Sequence, residues 1–207
     1  MTNKVSLTQY LNFTSAVSTS ARINAVKRIK YSSAYSPATD YWKPVRDTIK
    51  KYHQDGLEVE YLRSVLKKNY PDDKIRNYTR VINKYSAFIK NKDIEYFDAG
   101  SSYFKISEDL TILTNPELGL KIDGKRYFLK NWYKVPSKKN SVTKKQISST
   151  LTMMQLSSNN FENADEGTFA ILNLQNGKLI EASETNADSI LEMNVEMNSF
   201  ANIWDSI

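Results

Sequence analysis

Between Lys125 and Lys145 the chain carries Lys125, Arg126, Lys130, Lys134, Lys138, Lys139, Lys144 and Lys145 with no acidic residue among them, and Tyr127, Phe128, Trp132 and Tyr133 are interleaved with these cations. Phosphates draw cations at their own spacing and unpaired bases stack on flat rings, so the mixture suits a single strand or splayed nucleotides. The alternative is a plain β-strand. Tyr127, Leu129 and Asn131 would then share one face and Phe128, Lys130 and Trp132 the other, with the rings in a core and the lysines in water. A second group of cations is Lys67, Lys68, Lys74, Arg76, Arg80, Lys84, Lys90 and Lys92. Arg76, Arg80 and Lys84 recur every four residues, so on a helix they form an exposed ridge opposite Ile75 and Ile82 along which a phosphate backbone can lie. The same spacing also describes a solvated helix face.

The acids and lysines offer a different chemistry. Asn115-Pro116-Glu117, then Asp123 in an Asp-Gly pair, then Lys130 place two carboxylates and an amine on consecutive strand segments after a helix. This order of helix, strand meander, helix and further strands resembles the core of the PD-(D/E)XK, or restriction-endonuclease-like, nucleases over roughly residues 75 to 182. The resemblance implies a first acid at Glu117 or Asp123, the lysine at Lys130, and Mg²⁺ as the cofactor of a nuclease or its absence in an inactive relative. Phe128 stands where the family's second acid belongs. Without the resemblance, the acids of a hairpin serve turn chemistry and solubility, and no cofactor is expected.

Other classes are excluded more simply. There is no Cys and a single histidine, His53, so thiolate and histidine-rich metal sites have too few members, and any nucleophile–histidine triad would depend on this one imidazole with no Cys to pair with it. His53 stands beside Gln54, Asp55 and Gly56, where a helix C-terminus accepts a histidine. No Walker loop, GxGxxG or GxSxG occurs.

Charge is divided unevenly. Residues 1 to 146 hold 28 Lys and Arg against 14 Asp and Glu, and residues 147 to 207 hold 1 against 9, so a part at +14 and a part at −8 sum to +6. A basic body attracts polyanions. Glu184, Asp188, Glu192 and Glu196 line the last segment, where a carboxylate row either shields the basic surface, binds a basic protein partner, or is merely the polar face of a helix.

The elements that must position these residues follow from periodicity. Helices are expected from Ser6 to Phe13, after Ser20 with Ile23, Val26 and Ile29, from Thr39 or Asp40 to Gly56 with Pro44 in the first turn, from Glu58 to Asn69, and from Pro71 through Ile89. After Asn91 the period falls to two. Strands are expected at 103–107, 110–114, 118–122, 126–133, 168–174 and 178–182, with Asp123-Gly124 and Asn176-Gly177 as hairpin turns. Helices follow over 141–157 and 187–204, the latter with Ile190, Leu191, Val195, Met197 and Ile203 as its apolar side, and 157–167 reads as a loop. The expected fold class is α+β: a helical bundle over 1–95, then a mostly antiparallel sheet with two covering helices over 96–207. No apolar run spans a bilayer and no secretory leader is visible, so a cytoplasmic, nucleic-acid-associated protein without membrane contact is expected.

Overall fold

The α+β class is what the computed structural model shows; it describes residues 3–31, 40–134 and 144–207. Lys138 and Lys139 lie outside them.

Six α-helices are described: α1 (Leu7–Thr14), α2 (Thr19–Lys30), α3 (Lys43–Gln54), α4 (Asp72–Ile89), α5 (Lys144–Leu156) and α6 (Ala187–Ser206). Their starts follow local chemistry. Ser6 caps α1 and exchanges hydrogen bonds with Gln9, Ser18 caps α2, and Asn186 caps α6 with Ser189 answering it. Asp72 and Asp73 sit in the positive first turn of α4. The segment expected as a helix from Glu58 to Asn69 is instead a 3₁₀ run, Val59–Lys67.

The strands form two mixed sheets. β1 (Asn3–Ser6), β4 (Leu110–Leu113), β3 (Ser102–Lys105) and β7 (Ser158–Asn159) make the smaller, in that order. The larger runs β2 (Ile94–Phe97), β5 (Leu118–Ile122), β6 (Lys125–Trp132), β8 (Gly167–Asn173), β9 (Lys178–Glu181). Among the described residues only β1–β4 and β6–β8 pair in parallel, and α5 lies in the crossover that the second of these requires. Asp123 and Gly124 both take the left-handed conformation of a two-residue turn, which sets the β5–β6 register at Ile122↔Lys125.

The five-stranded sheet divides the hydrophobic interior. On one face Leu118, Leu120, Tyr127, Leu129, Tyr133 and Leu172 meet Val45 and Ile49 of α3, the 3₁₀ run, and the stripe Tyr78, Val81, Ile82, Tyr85 and Ile89 of α4. On the other, Phe128, Trp132, Phe169 and Ile171 meet α1, α2, α5, α6 and the smaller sheet. The helices before residue 95 are therefore not one bundle. α1 and α2 pack with α5 and α6, while α3 and α4 cover the opposite face.

Two further expectations change. In α6 the buried positions are Met193, Phe200 and Trp204, whereas Ile190, Leu191 and Val195 face outward. The stretch 157–167 is only partly a loop, since Ser158 and Asn159 pair with β3 and Ala164–Glu166 form a 3₁₀ turn. Among the described residues no helix is long and apolar enough to cross a membrane.

Candidate nucleic-acid interface and a buried acid–lysine pair

The hairpin register that places Leu118 opposite Leu129 also carries Glu117 to Lys130. Glu117 N donates to Leu129 O at 2.8 Å. Lys130 Nζ lies 3.0 Å from Glu117 Oε2, with the two side chains 12% and 9% exposed. That contact is an ion pair by distance but is not aligned as a hydrogen bond. The other carboxylate oxygen accepts from Tyr133 Oη at 2.5 Å, and Tyr133 in turn accepts from Asn131 Nδ2 at 3.2 Å. Burial, with the Glu117 charge and hydrogen bond added to it, holds the Tyr133 phenol well above its ordinary pKa. Trp42 stacks on Tyr133 with ring centres 5.8 Å apart.

Arg46 of α3 adds a cation beside this carboxylate. Its Nη2 donates to Asp40 Oδ2 at 2.7 Å. Burial works to lower its pKa, but the Asp40 hydrogen bond and the Glu117 carboxylate outweigh that and hold it above the ordinary value. His53 lies nearby in sequence terms only at the helix end; its Nε2 is 2.6 Å from Tyr85 Oη, and burial lowers its pKa from 6.5 to about 4. Burial thus favours the neutral imidazole, which sits half-buried against the Tyr52 and Tyr85 rings in the last turn of α3.

The three residues of the expected metal-dependent site do not assemble. Glu117 and Lys130 meet, but Asp123 sits in the turn at the far end of β5, some six strand residues or about 20 Å away. There its carboxylate accepts from Asp93 N at 2.9 Å, which ties the turn to the residue before β2. Phe128 is fully buried in a cluster with Phe161 at 4.6 Å and Phe169 at 5.2 Å. The position that would supply a second acid is a core position. Among the described residues no three His, Asp or Glu side chains converge as a metal would require.

The basic run 125–145 is likewise not one surface. Lys125 pairs with Glu181 at 2.6 Å, and Tyr127 Oη donates to the same carboxylate at 2.7 Å. Arg126 Nη2 donates to Glu162 O at 3.1 Å and its guanidinium lies 3.6 Å over the Phe97 ring. Lys130 is taken up by Glu117. Trp132 is 2% exposed and cannot serve as a stacking platform, because the alternation of β6 turns it into the core with Phe128. Lys134 is half-buried over the Trp132 ring, and burial lowers its pKa. Lys144 opens α5, and Lys145 is exposed on that helix.

The ridge on α4 keeps its cations. Arg76 and Lys84 are exposed, and Arg80 between them is half-buried. Arg76, Arg80 and Lys84 have no ion-pair partner among the described residues, and Nε and Nη2 of Arg80 are shielded from water with no hydrogen-bond partner. Burial lowers the Arg80 pKa. Guanidinium nitrogens shielded from water without an acceptor are energetically unmet, and an arriving anion that reaches them relieves the cost. With Thr79, Asn83 and Ile75 the three cations line an open depression of about 530 Å³.

The acidic segment does not cover this ridge. α6 packs on α2 and α5, on the opposite side of the sheet from α4, and is fixed there by Phe200 and Trp204. Glu196 is engaged by Arg22 at 2.9 Å, and Lys30 Nζ donates to Trp204 O at 2.6 Å, capping the helix end. Glu184, Asp188 and Glu192 are exposed.

Sequence reasoning missed Asp40, Arg46 and Tyr133 as companions of Glu117. The turn supplied part of the signal: a two-residue loop at Asp123-Gly124 fixes every pairing outward from it, including Glu117 with Lys130. Nothing in sequence links Arg46 to that pair. No protein-family profile matches the chain, and no curated protein or solved structure matches it significantly.

Proposed function

We propose that this protein binds nucleic acid along the outward face of α4, on a scaffold arranged like a nuclease core whose acid–lysine pair is closed on itself. The observation that carries the proposal is the set Arg76, Arg80 and Lys84, three cations aligned over two turns of one helix and without an ion pair among the described residues, one of them with two guanidinium nitrogens shielded from water and unpartnered. Successive members stand about 6 Å apart along the axis, a spacing that lets neighbouring side chains take successive phosphates. Support for the scaffold comes from the order α4, the meander β2–β5–β6, the crossover α5, and β8 parallel to β6. The chain's own residues argue against cleavage. Glu117 is already occupied by Lys130 and Tyr133, Phe128 supplies no ligand, and Asp123 is remote. Mg²⁺ thus has one buried, paired carboxylate to approach.

The test is a fluorescence-anisotropy titration with duplex DNA, single-stranded DNA and RNA at two salt concentrations, followed by incubation of the same strands with Mg²⁺. Salt-sensitive binding with intact strands is expected. Cleavage that stops on chelation would show that the acid–lysine pair opens to a metal, and absence of binding to all three at low salt would refute the assignment.

A further inference from the structure

The exposed face of α6 is not used by the reading above, and it is unusual in composition. Val17, Leu191 and Val195 are 85%, 61% and 59% exposed and stand together around an open groove of about 740 Å³, which Lys145 and the Arg22–Glu196 ion pair also line. A second groove of about 240 Å³ adjoins it, sharing Glu192, and is walled by Glu184, Asp188, Ser183 and Gln155. Joined at Glu192, the two grooves make a furrow with exposed apolar side chains toward one end and exposed carboxylates toward the other. Glu184, Asp188 and Glu192 have no cationic partner among the described residues, whereas the neighbouring Glu181 and Glu196 are engaged by Lys125 and Arg22.

The α6 wall of the furrow is held by its cap and by core packing. α6 begins at a reciprocal Asn186–Ser189 cap, is pinned by Met193, Phe200 and Trp204, and packs antiparallel to α5, as Gln155 Nε2 donating to Ser183 O at 3.1 Å indicates. The outward Leu191 and Val195 are four apart, so they make a stripe, and burying either side chain gains about 1.5–3 kcal/mol that solvent exposure forfeits.

We propose that this furrow docks a basic amphipathic helix of another protein, its apolar residues seated on Val17, Leu191 and Val195 and its lysines or arginines facing Glu184, Asp188 and Glu192. Charge selects this occupant. Three unpaired carboxylates against the single described unpaired cation Lys145 repel a second copy of the same face and attract a positive segment. The walls are chiefly α5, α6 and the turn between α1 and α2; the edge strand β9 reaches the furrow only at its last residue, Glu181, so an extended peptide has no length of strand to join there and a facing helix is the geometry that fills it. From Asp188 to Val195 the stripe covers two turns, about 10 Å, which a partner of three to four turns matches.

The probe is a synthetic helical peptide of roughly 18 residues with leucines at i, i+4 and i+7 and lysines on the flanking positions, fluorescently labelled, compared with the same peptide bearing glutamates in place of lysines. The full-length protein should bind the lysine peptide, and the glutamate peptide at least about tenfold more weakly. The variant E184Q/D188Q/E192Q should lose about tenfold in affinity for the lysine peptide and L191S/V195S should abolish binding. All five side chains are exposed, so the folded state should be retained, as circular dichroism will show. Hydrogen exchange should slow over 187–198 and 145–149 on peptide addition and leave α4 unchanged. No binding, equal binding of both peptides, protection elsewhere, or self-association of the free protein that L191S/V195S removes would each overturn the proposal. Nucleic-acid binding through α4 stands or falls separately, because it lies on the other face of the sheet.

Discussion

Replacing Glu117 by Ala breaks two interactions at once. It leaves the Lys130 ammonium, 12% exposed, without its carboxylate and leaves Tyr133 Oη without an acceptor. At 3.0 Å and an effective dielectric near 20, the lost attraction is about 5 kcal/mol, part of which desolvation has already consumed. Orphaning one partner of a buried pair costs about 3–5 kcal/mol, and the unpaired phenol adds about 1 kcal/mol. For a chain of this length that total, about 4–6 kcal/mol, lowers Tm by about 8–24 °C. Urea denaturation of wild type, E117A, K130M and the double variant E117A/K130M measures it. The double variant should be more stable than E117A alone, because removing the ammonium removes the uncompensated charge. If E117A costs less than about 1 kcal/mol, or if the two substitutions simply add, then the pair is solvated and available, and the view of it as closed is wrong.

The pH dependence of stability should carry a His53 signature. Its pKa is lowered to about 4 in the folded chain against 6.5 when unfolded, so between those values the unfolded state binds more protons. Stability is fully present above pH 6.5 and is lost as pH falls toward 4, by up to about 3 kcal/mol, and H53Q should remove that slope in denaturation series across this window. Trp132→Ala should destabilise by about 3–5 kcal/mol in the same assay and leave nucleic-acid affinity of the folded fraction unchanged, since the ring is a core ring.

Local chemistry made much of the fold legible. The Asp72–Ile89 stripe, the Ser6 cap and the Asp123-Gly124 turn appear where their residues predict them. β1 and β2 were not legible. Each is four residues long, and β1 gains its partner only by pairing Asn3 with Leu110, a contact no local pattern encodes. α6 misled for a different reason: its apolar residues exceed the width of one buried face, so periodicity alone does not decide that Met193, Phe200 and Trp204 turn inward and Leu191 and Val195 outward. The basic run 125–145 failed as a surface because adjacent strand residues point to opposite faces, which sends Lys130 and Trp132 inside. The α4 cations survived the comparison because a helix face four residues in period stays on one side.

The decisive measurement is the salt dependence of duplex binding by wild type and by R76A/R80A/K84A. Arg80 has no hydrogen bond to lose and Arg76 and Lys84 are exposed, so the variant should fold as wild type does. Each phosphate contact contributes about 0.9 to the slope of log K against log salt, so the triple variant should bind more weakly with its slope reduced by about 2.7. An unchanged slope and affinity in the folded variant would contradict a nucleic-acid interface on α4.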